Sequence, residues 1–193
     1  SISAQENDLF DFYHGIYVAG SDFENWRNYN PSGTANGGVD ANYHRSGDDY
    51  EFRGSIEFFD TSGNRFLGQD MGYRIHGNWS NAQPFKSLRI YARKEYGKST
   101  LDYPFFKSRN YTSYKRIILR NSGNDNSYTL FRDAAMHEMV SHMNFETQAY
   151  QPSVLFINGE YWGIHNIRER IDKYFLSAKF GMNIDQLDIM ENN

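Results

Sequence analysis

A chain of 193 residues with 39% hydrophobic content is long enough for one domain with a real core, or for two small lobes. Its net charge of -4 excludes the general basic field of a nucleic-acid binder, and no apolar run approaches the ~18–20 residues of a membrane span. The absence of cysteine excludes disulfides, thiolate metal sites and cysteine nucleophiles, while an aromatic share of 17% means that core and grooves are built largely from rings.

The opening, Ser1–Phe12, has no signal-peptide pattern and reads as the start of a mature or trimmed chain. Residues 1–50 read as an irregular entry arm packing on the domain. It contains one short strand, Gly15–Gly20, and a loop from Ser21 to Asp49 rich in Asn, Ser and Gly. From Phe52 the pattern turns β. Phe52–Asp60 and Asn64–Leu67 flank Thr61-Ser62-Gly63, a hairpin signal, and Gly72–Gly77 reads as a further strand. After a polar loop, Leu88, Ile90 and Ala92 alternate with Ser87, Arg89 and Tyr91, as one buried strand face requires. Tyr114–Arg120 is a buried-strand run around Ile117-Ile118-Leu119.

The turn cluster Asn121–Ser127 precedes one clear helix, predicted over Tyr128–Met143 with Ser127 or Asn126 as cap. Leu130, Phe131, Ala134, Ala135 and Met139 form its apolar stripe, with Glu138 in the middle of it and in need of a cationic partner or an exit to solvent. His137-Glu138 with His142 imitates the zinc-protease pattern. Five helical steps put the two imidazoles on different faces, so the motif is refused and His142 is expected to pack near the stripe.

Asn158-Gly159 between two apolar runs is the strongest hairpin signal in the chain. A type I′ turn there sets Phe156 against Tyr161 and Leu155 against Trp162. The second strand leads into Asn166-Ile167-Arg168-Glu169-Arg170. A helix is predicted over Lys173–Phe180 with Gly181 as its stop, then a last strand over Ile184–Met190. The fold class is therefore α+β, an antiparallel sheet with one main packed helix and a long N-terminal arm.

Several of these segments, in this order, resemble the CotH family, the spore-coat protein H type of secreted atypical protein kinase. They are Arg74-Ile75-His76-Gly77-Asn78 with Lys86–Arg89, then Leu119–Asp125, Arg132-Asp133 through Glu138, and Phe156–Gly163 running to Arg168–Asp172. Leu9-Phe10 with Gly15–Val18 also resembles the start of such domains, so the likeness is expected from Leu9 onward. It implies that residues 51–193 are the small, nucleotide-side lobe of a kinase-like fold. The family's metal-binding aspartates, in a Trp-Asp-x-Asp-like motif absent from this chain, are expected beyond Asn193. The complete protein would then use ATP and Mg²⁺ to phosphorylate Ser or Thr of a surface or secreted bacterial protein. This chain, truncated, would have no catalytic or metal-ligating residue and be inactive alone.

The resemblance names nucleotide-binding candidates. Lys86 is expected to meet nucleotide phosphates and to be held by Glu138, with Lys115 or Arg120 as alternative partners for that glutamate. Arg120, Asn121, Asn124 and Asp125 precede a helix start, where anions bind or caps form. Arg170 is expected to grip phosphate bidentately, supported by Arg168 and Glu169. Gly77–Gln83 has one glycine and reads better as a plain strand connection than as a phosphate loop. The rival class is a non-catalytic extracellular binding module that reads carbohydrate or a surface protein. It requires two or more of Trp26, Trp79 and Trp162 to be exposed together.

Overall fold

The computed structural model describes residues 1–190. Nine strands and four helices follow one another as β1 (Ile2–Ala4), α1 (Glu6–Phe10), α2 (Gly20–Arg27), β2 (Phe52–Phe59), β3 (Arg65–His76), β4 (Ser87–Tyr91), β5 (Leu101–Asp102), β6 (Ser113–Tyr114), β7 (Arg116–Arg120), α3 (Arg132–Met139), β8 (Tyr150–Ile157), β9 (Glu160–Glu169) and α4 (Lys173–Phe180). The chain is α+β with few helices, as expected. The sheet, however, is a closed barrel in the order β1-β2-β3-β4-β7-β9-β8 and not an open antiparallel sheet.

Closure falls to β1. Ile2–Ala4 runs antiparallel to β2, with Ile2 opposite Ile56, and parallel to β8, with Ile2 opposite Ile157. Asn158 completes the seam: its amide donates to the Ile2 carbonyl at 2.8 Å and its side-chain oxygen accepts from the Ala4 amide at 2.9 Å. Closing the barrel removes the edges that an open sheet would leave unpaired. Side chains alternate across each strand. The row Ile75, Leu88, Leu119 and Ile167 and the residues Tyr73, Ile90 and Ile117 face inward, where they join Ile56, Met71, Leu155 and Ile157 in one buried core.

Several predicted elements change. Gly15–Gly20 is not a strand: the Ile16 and Tyr17 amides bond back to the Asp8 and Leu9 carbonyls, and Gly20 (φ +59°) opens α2. The two short strands of Asn64–Leu67 and Gly72–Gly77 are one, β3, paired with β2 from Arg65 to Tyr73. Phe156 does oppose Tyr161, and Asn158 (φ +52°) and Gly159 (φ +85°) supply the turn. Val154, however, opposes Ile164, so a bulge sets Trp162 and Gly163 (φ +84°) together against Leu155.

The long helix is cut to Arg132–Met139, and α2, α3 and α4 are of equal length, so no single helix dominates. Leu130 adopts φ +64°, which no helix accommodates. The amides of Thr129 and Arg132 turn to the Asp125 carboxylate rather than to Ser127 or Asn126. Of the expected stripe only Ala134 is fully buried; Phe131, Met139 and the neighbouring Glu138 are exposed. His142 lies beyond the helix and is also exposed, not packed beside the stripe. The Lys173–Phe180 helix and its Gly181 stop (φ +67°) are as predicted, with Asp172 accepting from the Tyr174 and Phe175 amides as cap. Ile184–Met190 is not a strand. It holds a single 3₁₀ turn at Ile184–Gln186, whose cap is Asn183. Among the described residues no helix is long and apolar enough to cross a membrane.

Candidate functional site

The outer face of β3, β4, β7 and β9 is a wall of arginines. Strand register puts Arg74, Arg89, Ile118 and Arg168 in one row, with His76 opposite Ser87 and Arg120 opposite Asn166 on the neighbouring rows. From the alternation in β4 this is the side opposite the core. It is largely covered: Ser87, Tyr91 and Ile118 are buried and Arg168 is 1% exposed.

Most of these charges are neutralised in pairs. Arg74 and Arg93 converge on Glu51 at 2.6 Å each. Arg116 lies 3.1 Å from Asp172 and stacks over Tyr174. Asp133, in the first turn of α3, is 2.6 Å from Arg168 and 3.1 Å from Arg120, and so clamps the helix to β7 and β9. Burial lowers the Arg168 pKa from its ordinary value, which the Asp133 charge opposes. Thus α3 is docked by an ion pair on a charged sheet face, the reason its apolar stripe is left uncovered.

Two groups on the wall are less firmly paired. Arg170 lies 3.8 Å from Asp172 and donates weakly to the Tyr91 hydroxyl at 3.4 Å. Arg89 donates its Nε–H to His76 Nδ1 at 2.8 Å, and no carboxylate among the described residues comes within ion-pair distance of it. His76 is pulled down to about 3, first by burial and then by the charges of Arg89, Arg120 and Arg170. Its imidazole is therefore neutral at physiological pH, with Nδ1 as acceptor.

The predicted candidates divide between two places. Arg120 and Arg168 meet at Asp133 on the wall, and Arg170 lies on the same face beside Tyr91 and Asp172. Lys86 and Glu138 do not meet each other. Lys86 is buried behind the His76–Phe85 loop, where its ammonium donates to the Asn81 carbonyl and, at 2.9 Å, to that of Gln83, and lies 4.4 Å from the Tyr43 ring centre. Asn81 is buried too and donates to the Tyr43 and Gly77 carbonyls, so the loop is pinned from behind. Asn121 is committed to the scaffold: its side chain accepts from Ser87 Oγ and the Gly123 amide and donates to the Phe85 carbonyl. Asn124 is exposed. Asp125 is drawn down to about 2, foremost by the Thr129 hydroxyl. Glu169 is buried between Arg109, Tyr111 and the Ala149 amide.

Burial lowers the Lys86 ammonium from 10.5 to about 8. The unfolded chain then holds this proton more tightly than the folded chain, so stability rises as pH climbs from 8 towards 10.5. Urea unfolding across that window is expected to show the wild type gaining on a Lys86→Met variant. A constant difference would mean that the ammonium is hydrated.

Of the tryptophans only Trp79 is exposed, at 61%. Trp26 stacks on Phe23, and Trp162 packs edge-on against Tyr17 while donating to its hydroxyl at 2.7 Å. They do not form a shared exposed surface. A separate cavity of about 190 Å³ lies beneath α4, lined by Tyr111, Tyr114, Arg116, Arg170, Asp172 and Tyr174 among others.

The family model for CotH kinase proteins matches residues 73–192. The chain belongs to the CotH kinase family. The matched span opens on β3 and takes in the arginine wall, α3 and α4; the entry segment from Leu9 to Val18, expected to share the likeness, lies outside it. No curated protein matches the chain. Arg89, His76 and Asp133 are residues of this arginine-lined face that were not singled out from sequence as site candidates. The signal for Arg89 was its place opposite the core face of β4, and for Asp133 its place at a helix start.

Proposed function

We propose that this chain forms the nucleotide side of a CotH protein kinase, and that the outer face of β4, β7 and β9 receives the phosphates of ATP. The observation that carries this reading is the strand–helix ion pair Arg120–Asp133. It sits in a connection β7–α3–β8–β9 whose strands order as β7-β9-β8 in the barrel. Protein kinases place a cationic strand residue against a helix carboxylate in the same way, and the pair sets the cation toward the phosphates. In this reading Asp133 takes the part expected of Glu138, and Arg120 the part expected of Lys86. Lys86 contributes by fixing the loop that follows His76.

Phosphoryl transfer depends on positioning and on neutralising phosphate charge. Arg120 and Arg170 suit that task because guanidinium groups grip phosphate oxygens in a fixed fork. Among the described residues no three His, Asp or Glu side chains gather as metal ligands, so these residues do not by themselves fit a divalent cation. The acceptor in this reading is a Ser or Thr of a surface or spore-coat protein of a bacterium, which rests on the family alone.

Calorimetry tests the nucleotide assignment. Arg120→Met removes one cation while leaving Asp133 paired with Arg168, and is expected to weaken ATP binding about tenfold. Arg53→Gln, whose exposed side chain pairs with Asp70 away from the wall, is expected to change nothing. Equal affinity of wild type and Arg120→Met, or no ATP binding by the wild type, would contradict the proposal.

A further inference from the structure

Every other arginine of the chain lies within ion-pair distance of a carboxylate. Among the described residues Arg89 alone does not, and it is half-buried in the middle of a central strand. Its row neighbours are Arg74 and Ile118, and the charge of Arg170 reaches it as well. Burying an uncompensated guanidinium among like charges is costly, and a structural arginine would acquire a carboxylate or give way to an apolar residue. His76 supplies an acceptor without supplying charge. It fixes the guanidinium through Nε, with the Tyr91 hydroxyl as a second neutral partner, so the group is oriented as a fork without being neutralised.

We propose that Arg89 is a phosphate-gripping residue of this chain and that His76 positions it, the ligand being one phosphate group of a nucleotide's polyphosphate tail. The inference rests on the nucleotide reading above but names a residue and a positioning device that the Arg120–Asp133 pair does not require. His76 ends β3, just before the loop pinned by Lys86, so its ring is held at the end of a paired strand. Its neutrality matters, because an imidazolium would repel Arg89 and would have no lone pair to offer.

The test uses the whole chain, with tripolyphosphate and ATP as separate ligands titrated at several salt concentrations. Arg89→Gln is expected to weaken both ligands about tenfold and to flatten the salt dependence, because one screened charge is gone. His76→Leu is expected to weaken both ligands several-fold with the salt dependence intact, and His76→Asn, which keeps an acceptor near the Nδ1 position, to restore them. A loss confined to ATP would place the effect on base or sugar and overturn the proposal.

Should Arg89→Gln fail to fold, nuclear magnetic resonance of the wild type decides. Tripolyphosphate is expected to shift the Arg89 Nε–H and His76 Nδ1 signals. Shifts at Arg120 and Arg170 with none at Arg89 would overturn this inference and leave the nucleotide reading standing. Silence at all three arginines would overturn both.

Discussion

Asp133→Ala is expected to lower the unfolding free energy by about 3–5 kcal/mol, one of the two largest single-residue effects in the molecule. Arg168 is 1% exposed, and removing the carboxylate 2.6 Å from it leaves a desolvated guanidinium on the sheet. The like-charged Arg120 at the same carboxylate adds to the cost. Equilibrium urea unfolding measures the loss. Adding Arg168→Leu to Asp133→Ala is expected to recover much of it, since an apolar side chain has no charge to strand. Glu138→Ala, on the exposed side of the same helix, is expected to stay within about 0.5 kcal/mol of the wild type. If Asp133→Ala behaved like Glu138→Ala, the ion pair would not be what docks α3.

Glu169→Ala is the second. This carboxylate accepts from Arg109 at 2.6 Å, from the Tyr111 hydroxyl and from the Ala149 amide at 2.9 Å, all within a residue that is 2% exposed. Its removal strands both a cation and a backbone donor, at a cost of about 3–5 kcal/mol. Glu169→Gln keeps an acceptor and is expected to cost less, about 1–3 kcal/mol, because the charge-assisted part alone is lost. Hydrogen exchange at Ala149 separates this from general destabilisation: its amide is expected to lose protection in Glu169→Ala before the core strands do. Unchanged protection at Ala149 would mean that Glu169 is not its acceptor in solution.

What the sequence disclosed follows from how local each signal was. Asn158-Gly159 placed the β8–β9 turn because the required φ is a property of those two residues. The α4 boundaries came from Asp172 and Gly181, again local. Barrel closure could not be read, because three residues at the N-terminus find partners 54 and 155 positions away, Ile56 and Ile157 for Ile2, with no turn between them to announce it. Helix α3 was overdrawn because helical spacing continues through Leu130, whereas Asp125 wins the amides of that segment for a turn.

The site was legible to the extent that strand alternation exposes its charges. Arg120 and Arg170, each named from its own segment, both fall on the outer face of the barrel. Lys86 and Glu138 were matched by type and family position, yet partner choice is tertiary: the lysine found carbonyls and rings behind the loop, and the glutamate found solvent. Arg89 carried a signal that was discounted. A residue opposite the core face of a strand is assumed to meet water, and here Ser87, Tyr91 and Ile118 on that second face are buried.

The most direct measurement is a crystal structure of the chain soaked with ATP. Phosphate density against Arg120 on the outer face of β4, β7 and β9 is the predicted result. Phosphates seated instead in the cavity beneath α4, away from Arg120, would contradict it.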